Sequence, residues 1–139
     1  MGAKLTNPAE ILFRQIHPDL MQDGVPASSG FRPSESDKDM LSVDRSSLTS
    51  PSAAHTLYTA NGLASEAVFG VSVGEFQDNG LPCQEDPIVA SAGTAANPAH
   101  ALASFVGHTV SKQKTLAKKI KRVAVARGVL HLSPPVESA

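Results

Sequence analysis

Tryptophan is absent from this 139-residue chain, tyrosine occurs once, and the remaining aromatic side chains are five phenylalanines. An aromatic-rich core is thereby excluded, and the core must be built mainly from aliphatic groups. These are not abundant: alanine supplies 19 of the hydrophobic residues, while Leu, Ile, Val and Phe together number 33. That share still exceeds the roughly 20% below which a chain reads as disordered. A chain of this length suits one domain and buries roughly two-thirds of its unfolded surface without disulfides or metal. Cys83 stands alone, which excludes an intramolecular disulfide and a cysteine-only metal cluster and suits a reducing cytosol. No apolar run approaches the ~18 residues of a membrane span, and Met1 to Thr6 lacks the apolar stretch of a signal peptide. Met1-Gly2 with Thr6 matches the letters of a myristoylation signal, a short pattern that carries little weight by itself.

What the chain does have is segregated charge. The net charge is −1, yet residues 1–111 hold 5 basic and 12 acidic side chains, whereas residues 112–139 hold 7 basic and 1 acidic. Such a split speaks of fields and partners rather than of fold. It has an internal explanation as well: a basic helix lying against an acidic body.

Strand signals alternate with short helix signals. Leu12, Arg14 and Ile16 alternate with Phe13 and Gln15, a strand closed by Pro18, and Pro18 to Asp23 fits one helical turn ending at Gly24. Nine serines fall between Ser28 and Ser52, with short strands expected at 30–32 and 40–43 and a polar loop at 34–39 between them. Ser50-Pro51 reads as a helix start and Asn61-Gly62 as its stop, with Ala53, Ala54, Leu57 and Tyr58 on one face. Residues 66–71 read as a buried strand. Ser72 and Glu75 then have capping-box spacing for a short helix ending at Asn79-Gly80. Residues 84–99 read as a long surface loop and 101–106 as a strand. The clearest element comes last. Ser111 caps a helix with Leu116, Ala117, Ile120, Val123 and Ala124 on one stripe and Lys114, Lys118, Lys121 and Arg122 behind it. Gly128 stops that helix, and residues 129–132 suit an edge strand. The expectation is one α+β domain over residues 1–139. A short mixed or antiparallel sheet is packed by short helices and a basic C-terminal helix, with 1–7 and 133–139 as flexible tails.

A set of short motifs runs along nearly the whole chain: Arg14-Gln15-Ile16-His17-Pro18, Asp23-Gly24, Ser28 to Pro33, Leu41-Ser42-Val43, Gly70 to Glu75, Gly80-Leu81-Pro82, Pro98 to Ala101, and Ser111 to Leu130. In these the chain resembles a family of small bacterial proteins to which no activity is attached. The resemblance implies a self-contained bacterial cytosolic protein. One departure is the turn after Val43, where Asp44-Arg45-Ser46-Ser47 replaces an acidic, glycine-containing sequence.

Candidate sites follow from polar residues placed on or beside strands. Arg14 on an apolar strand needs an acceptor, because a buried guanidinium is costly unpaired. Convergence of Arg14, His17, Ser29, Arg32 and His100 would hold an anion such as a phosphate. The order of an arginine strand, a serine-rich second strand and an alternating third resembles the NAD-using ADP-ribosyl transferases. No motif marks the acid such chemistry needs, and the nearest candidate, Glu75, is explained by its capping box. Gly70-Val71-Ser72-Val73-Gly74 matches the letters of a hydrolase nucleophile elbow, but the chain has no room for the large parallel sheet behind it. The five histidines show no i,i+4 pairing and no cysteine at ligand spacing, Asp37-Lys38-Asp39 lacks the glycine of a calcium loop, and Cys83 has no basic neighbour. No metal or cofactor is expected.

The basic helix remains. With no stacking platform or recognised module beside it, nucleic-acid binding would be purely electrostatic. A protein partner with an acidic surface is the better reading of Lys114, Lys118, Lys121 and Arg122. The expectation is a non-enzymatic partner-binding protein of the bacterial cytosol, accessory or immunity-type, with no role at a membrane. The rival expectations are a small nucleotide-using enzyme and a weak nucleic-acid binder.

Overall fold

The computed structural model describes residues 2–134. Eight strands occur among them: β1 (Ile11–Ile16), β2 (Met21–Gln22), β3 (Val25–Pro26), β4 (Met40–Arg45), β5 (Ala67–Ser72), β6 (Cys83–Glu85), β7 (His100–Ser104) and β8 (His131–Leu132). The three α-helices are α1 (Pro51–Ala60), α2 (Val73–Asp78) and α3 (Val110–Arg127). Six strands form one sheet in the order β6-β7-β4-β1-β5-β8, every neighbouring pair antiparallel. The α+β class is as expected, and the sheet is wholly antiparallel.

The sheet is covered on both faces, and the strand alternation decides which residues go where. Leu12, Ile16, Leu41, Val43, Phe69, Val71, Ala101 and Ala103 face the main core, where Leu116, Ala117, Ile120 and Ala124 of α3 meet them. Phe13 and Val68 point the other way, against Ala54 of α1. Covered on both sides, β5 has all six residues buried, as its unbroken apolar run requires. Phe31 stands edge-on to Phe69 with ring centroids 6.2 Å apart, concentrating the scarce aromatic groups where α3 crosses the sheet. Gly70 is the position on β5 where a side chain would force its neighbours aside. A Cβ there would lie 2.7 Å from Leu130 Cδ1 and 2.8 Å from Ile11 Cγ2.

Local signals set most boundaries. Ser50 Oγ accepts from Ala53 N at 3.2 Å and Pro51 opens α1. The cap of α3 is Thr109, whose Oγ1 accepts from Lys112 N at 3.1 Å, and not Ser111, which lies inside the helix. Gly128, at φ +95°, ends α3 where expected.

Four further expectations are corrected. Only Pro18–Leu20 forms a helical turn, and Asp23-Gly24, both with positive φ, close a hairpin between β2 and β3. Residues 30–32 are no strand: Ser28–Phe31 is a 3₁₀ turn under α3. The stretch 84–99 is not an open loop. Its first residues continue β6, and Ile88 and Asn97 then exchange two backbone hydrogen bonds of 2.9 Å, building a narrow arm. The segment 1–7 does not hang free either. Leu5 is buried and its N–H donates to Cys83 O at 2.9 Å. Of the second expected tail, Ser133 is tied to Glu66 O, and residues 135–139 lie outside the described residues.

Candidate functional site

The central strands part company. β1 pairs with β5 along all six residues, but with β4 only at Leu12↔Arg45 and Phe13↔Asp44. Continuing the register would join Arg14 to Val43 and Gln15 to Ser42. The Arg14 guanidinium occupies that split instead: Nη1 donates to Ser42 O at 3.0 Å and Nε to Gly30 O at 2.7 Å. A side chain thus supplies what the ladder leaves open. Burial lowers the Arg14 pKa, partly offset by Asp37 and Asp44, though the group stays charged at neutral pH.

On the α1 side of the split lies a cleft of about 410 Å³. The sheet forms its floor, α1 one wall, and the 84–99 arm the other. The arm is held there by Ala95 N donating to Asn61 Oδ1 at 3.1 Å and by Asn97 Nδ2 donating to Asp44 Oδ1 at 2.8 Å. Asp44 is buried, and burial raises its pKa against the opposing pull of Asn97, His100 and Arg14. Gln15, only 7% exposed, also lines the cleft. Its Oε1 accepts from Ser65 Oγ at 2.7 Å, while Nε2 is buried without a partner.

Of the five candidate residues for an anion site, two reach this cleft: Arg14 and His100. His100 faces Asp44 across the β4–β7 ladder and holds Asp86 through Nδ1, at 2.9 Å to the backbone oxygen and 3.0 Å to Oδ2. His17 stays outside, where its Nδ1 accepts from Asp19 N as the cap of a helical turn. Ser29 and Arg32 sit in and after the 3₁₀ turn Ser28–Phe31 and do not line the cleft. The five candidates therefore do not converge on one cleft. What replaces it is a group the sequence reading missed: Gln15, Asp44 and Asn97. The available signal was the placement of Gln15 and Asp44 inside otherwise apolar strands.

The remaining candidates have structural tasks. Ser72 Oγ accepts from Glu75 N at 3.0 Å and Glu75 Oε1 accepts from Ser72 N at 2.7 Å, the capping box read from the sequence. Glu75 also receives Arg127 from the end of α3, with Nη1 at 2.7 Å and Nη2 at 3.2 Å. Cys83 is buried, and burial pushes its thiol up to about 12. Among the described residues no three His, Cys, Asp or Glu side chains are grouped to hold a metal ion, and no helix is long and apolar enough to cross a membrane.

The outer face of α3 is a second candidate surface. Lys114, Lys118 and Arg122 are exposed and Lys121 is half-exposed. Among the described residues no carboxylate lies within 4 Å of any of them, nor of Lys112 or Lys119. The basic helix does not lie against the acidic body through these groups, because the buried stripe turns them to solvent. Arg127 is the basic residue of α3 that meets an acid. Beside the helix, Val25 and Val125 share a groove of about 460 Å³ with Lys118, Lys121 and Arg122. Compared with known proteins, the chain matches no family model, no curated protein and no solved structure.

Proposed function

We propose that the protein works by binding rather than by catalysis, docking the acidic surface of a protein partner on the outer face of α3. The observation that carries this reading is the set of cations at Lys112, Lys114, Lys118, Lys119, Lys121 and Arg122, which have no carboxylate within 4 Å among the described residues. The helix itself contains no acidic residue. Like charges three and four residues apart repel and cost the helix a little stability. A face kept this way steers and orients an oppositely charged partner. Val25 and Val125, 47% and 43% exposed, add an apolar centre with a cationic rim, the composition of a protein interface. No aromatic side chain lines the groove to stack a base, which favours protein over nucleic acid. Since the apolar stripe of α3 is buried against the sheet, it is not offered to a lipid surface. An accessory or immunity-type protein of the bacterial cytosol fits these features, with the one thiol buried and unreactive.

The test uses the variant in which Lys114, Lys118, Lys121 and Arg122 are all replaced by Gln. Wild-type protein is titrated at physiological salt with a helical peptide rich in Glu and Leu, and separately with random duplex and single-stranded DNA. The peptide should shift amide resonances of α3 and of Val25, weakening with salt and vanishing in the variant. A salt-sensitive DNA complex lost in the variant, or peptide shifts confined to another surface, would overturn the reading.

A further inference from the structure

We infer that the cleft over the β1–β4 split binds a small molecule with a carboxylate, a neighbouring amine and an apolar body, most simply an α-amino acid with an apolar side chain. Three polar groups lining one floor carry this, and two of them, Gln15 and Asp44, are buried. Arg14 brings a positive charge into the split, and both of its hydrogen bonds go to neutral carbonyls. Among the described residues it has no carboxylate within 4 Å. Asp37 and Asp44 act on it only from beyond contact distance, so a partly desolvated guanidinium still has room for a directly paired anion, which a ligand in the cleft supplies.

Gln15 brings the second group. One end of its amide is held by Ser65, and Nε2 is sealed in with nothing to donate to. Reversing the amide would put its oxygen in the unpartnered place instead, so one end lacks a partner in either orientation. Native proteins rarely leave such a group unpaired. Gln15 lines the cleft, so a small turn of its amide lets a polar ligand group at the floor, an oxygen or an N–H according to the amide's orientation, complete it.

The third group, Asp44, selects what accompanies the carboxylate. It pairs with Phe13 at the last rung before the split, and only its Oδ1 is engaged, by Asn97. A cationic amine on the ligand answers it, whereas a phosphate dianion would meet one tethered guanidinium and an opposing carboxylate. Phe13, Leu57, Leu63 and Ile88 provide the apolar walls. The volume of about 410 Å³ falls within the range of small-molecule sites and accommodates an amino acid of any size.

The experiment is independent of α3. L-leucine and L-phenylalanine are titrated into the full chain while the Gln15 side-chain amide and Arg14 Nε–H resonances are followed. Leucinamide, 4-methylpentanoate and inorganic phosphate are titrated alongside. One of the two amino acids should give saturable shifts in the millimolar range or tighter. The amide and the deaminated acid should each bind about tenfold more weakly, since each lacks one charge-assisted contact. Asp44→Asn retains the acceptor for Asn97, so it should fold and lose binding about tenfold, as should Gln15→Leu. The quadruple α3 variant should bind as wild type does. Absence of saturable shifts with both amino acids, saturation by phosphate alone, or undiminished binding in Asp44→Asn overturns the inference.

Discussion

Replacing Glu75 separates two contributions that the structure assigns to one carboxylate. Glu75 Oε1 accepts from Ser72 N at 2.7 Å, closing the capping box of α2, and both carboxylate oxygens hold the Arg127 guanidinium. Arg127 Nη1 also donates to Gly70 O at 3.0 Å, so the pair ties the ends of α2 and α3 to β5. Glu75→Gln keeps an acceptor for Ser72 and loses the ion pair. With side chains 29% and 30% exposed, that pair contributes about 1 kcal/mol. Glu75→Ala also leaves the Ser72 N–H without its acceptor, adding about 1 kcal/mol or more, for a total near 2 kcal/mol. Burial pushes the Glu75 pKa up, but Arg127 and Ser72 outweigh it, and the group titrates below its ordinary value. Its stabilisation is therefore complete above the ordinary carboxylate range and is lost as pH falls through the lowered folded-state value. Urea titrations at neutral pH should rank wild type above Gln above Ala, with wild type's lead over both shrinking as pH falls below about 4.3 and the Gln–Ala gap unchanged. Equal costs for Gln and Ala, or costs below about 0.5 kcal/mol for both, would refute the division.

Ser72→Ala should lower the unfolding free energy by about 1 kcal/mol in the same titration while leaving the peptide and amino-acid titrations unchanged. A folded variant that lost a measurable hydrolysis would instead make Ser72 a nucleophile. Cys83, 1% exposed and titrating at about 12, should stay unmodified by a colourimetric disulfide reagent at mildly alkaline pH and react at once in denaturant. Rapid modification of the native protein would contradict that environment.

The features legible in the sequence were those decided within a few residues or by simple periodicity. Ser50-Pro51, the Ser72/Glu75 box, the apolar run of β5 and the α3 stripe each carry their own cause. The displaced cap shows the limit of local reading. Thr109 and Ser111 are both good caps, and Thr109 starts α3 two residues earlier. The 28–31 segment forms a 3₁₀ turn whose Gly30 lies so near Ile16 that an added Cβ would stand 3.0 Å from its Cδ1, a tertiary contact invisible along the chain. The cleft was the least legible feature, because it depends on where two strands stop pairing. Arg14 was recognised as needing an acceptor. That its acceptors would be the carbonyls of Gly30 and Ser42 follows only once β4 and the 3₁₀ turn are in place.

The central claim is that the cations on the outer face of α3 do not stabilise the fold and remain available to a partner. The most direct measurement is the unfolding free energy of the quadruple Gln variant beside wild type, at low and at high salt. Lys114 and Lys118, Lys118 and Arg122, and Lys118 and Lys121 are like-charge pairs at helical spacing. Removing them should leave the variant as stable as wild type or more stable by up to about 1 kcal/mol at low salt. The difference should vanish once salt screens the repulsion. A variant destabilised by about 2 kcal/mol or more at low salt, and recovering as salt rises, would mean these charges are engaged within the molecule and would contradict the claim.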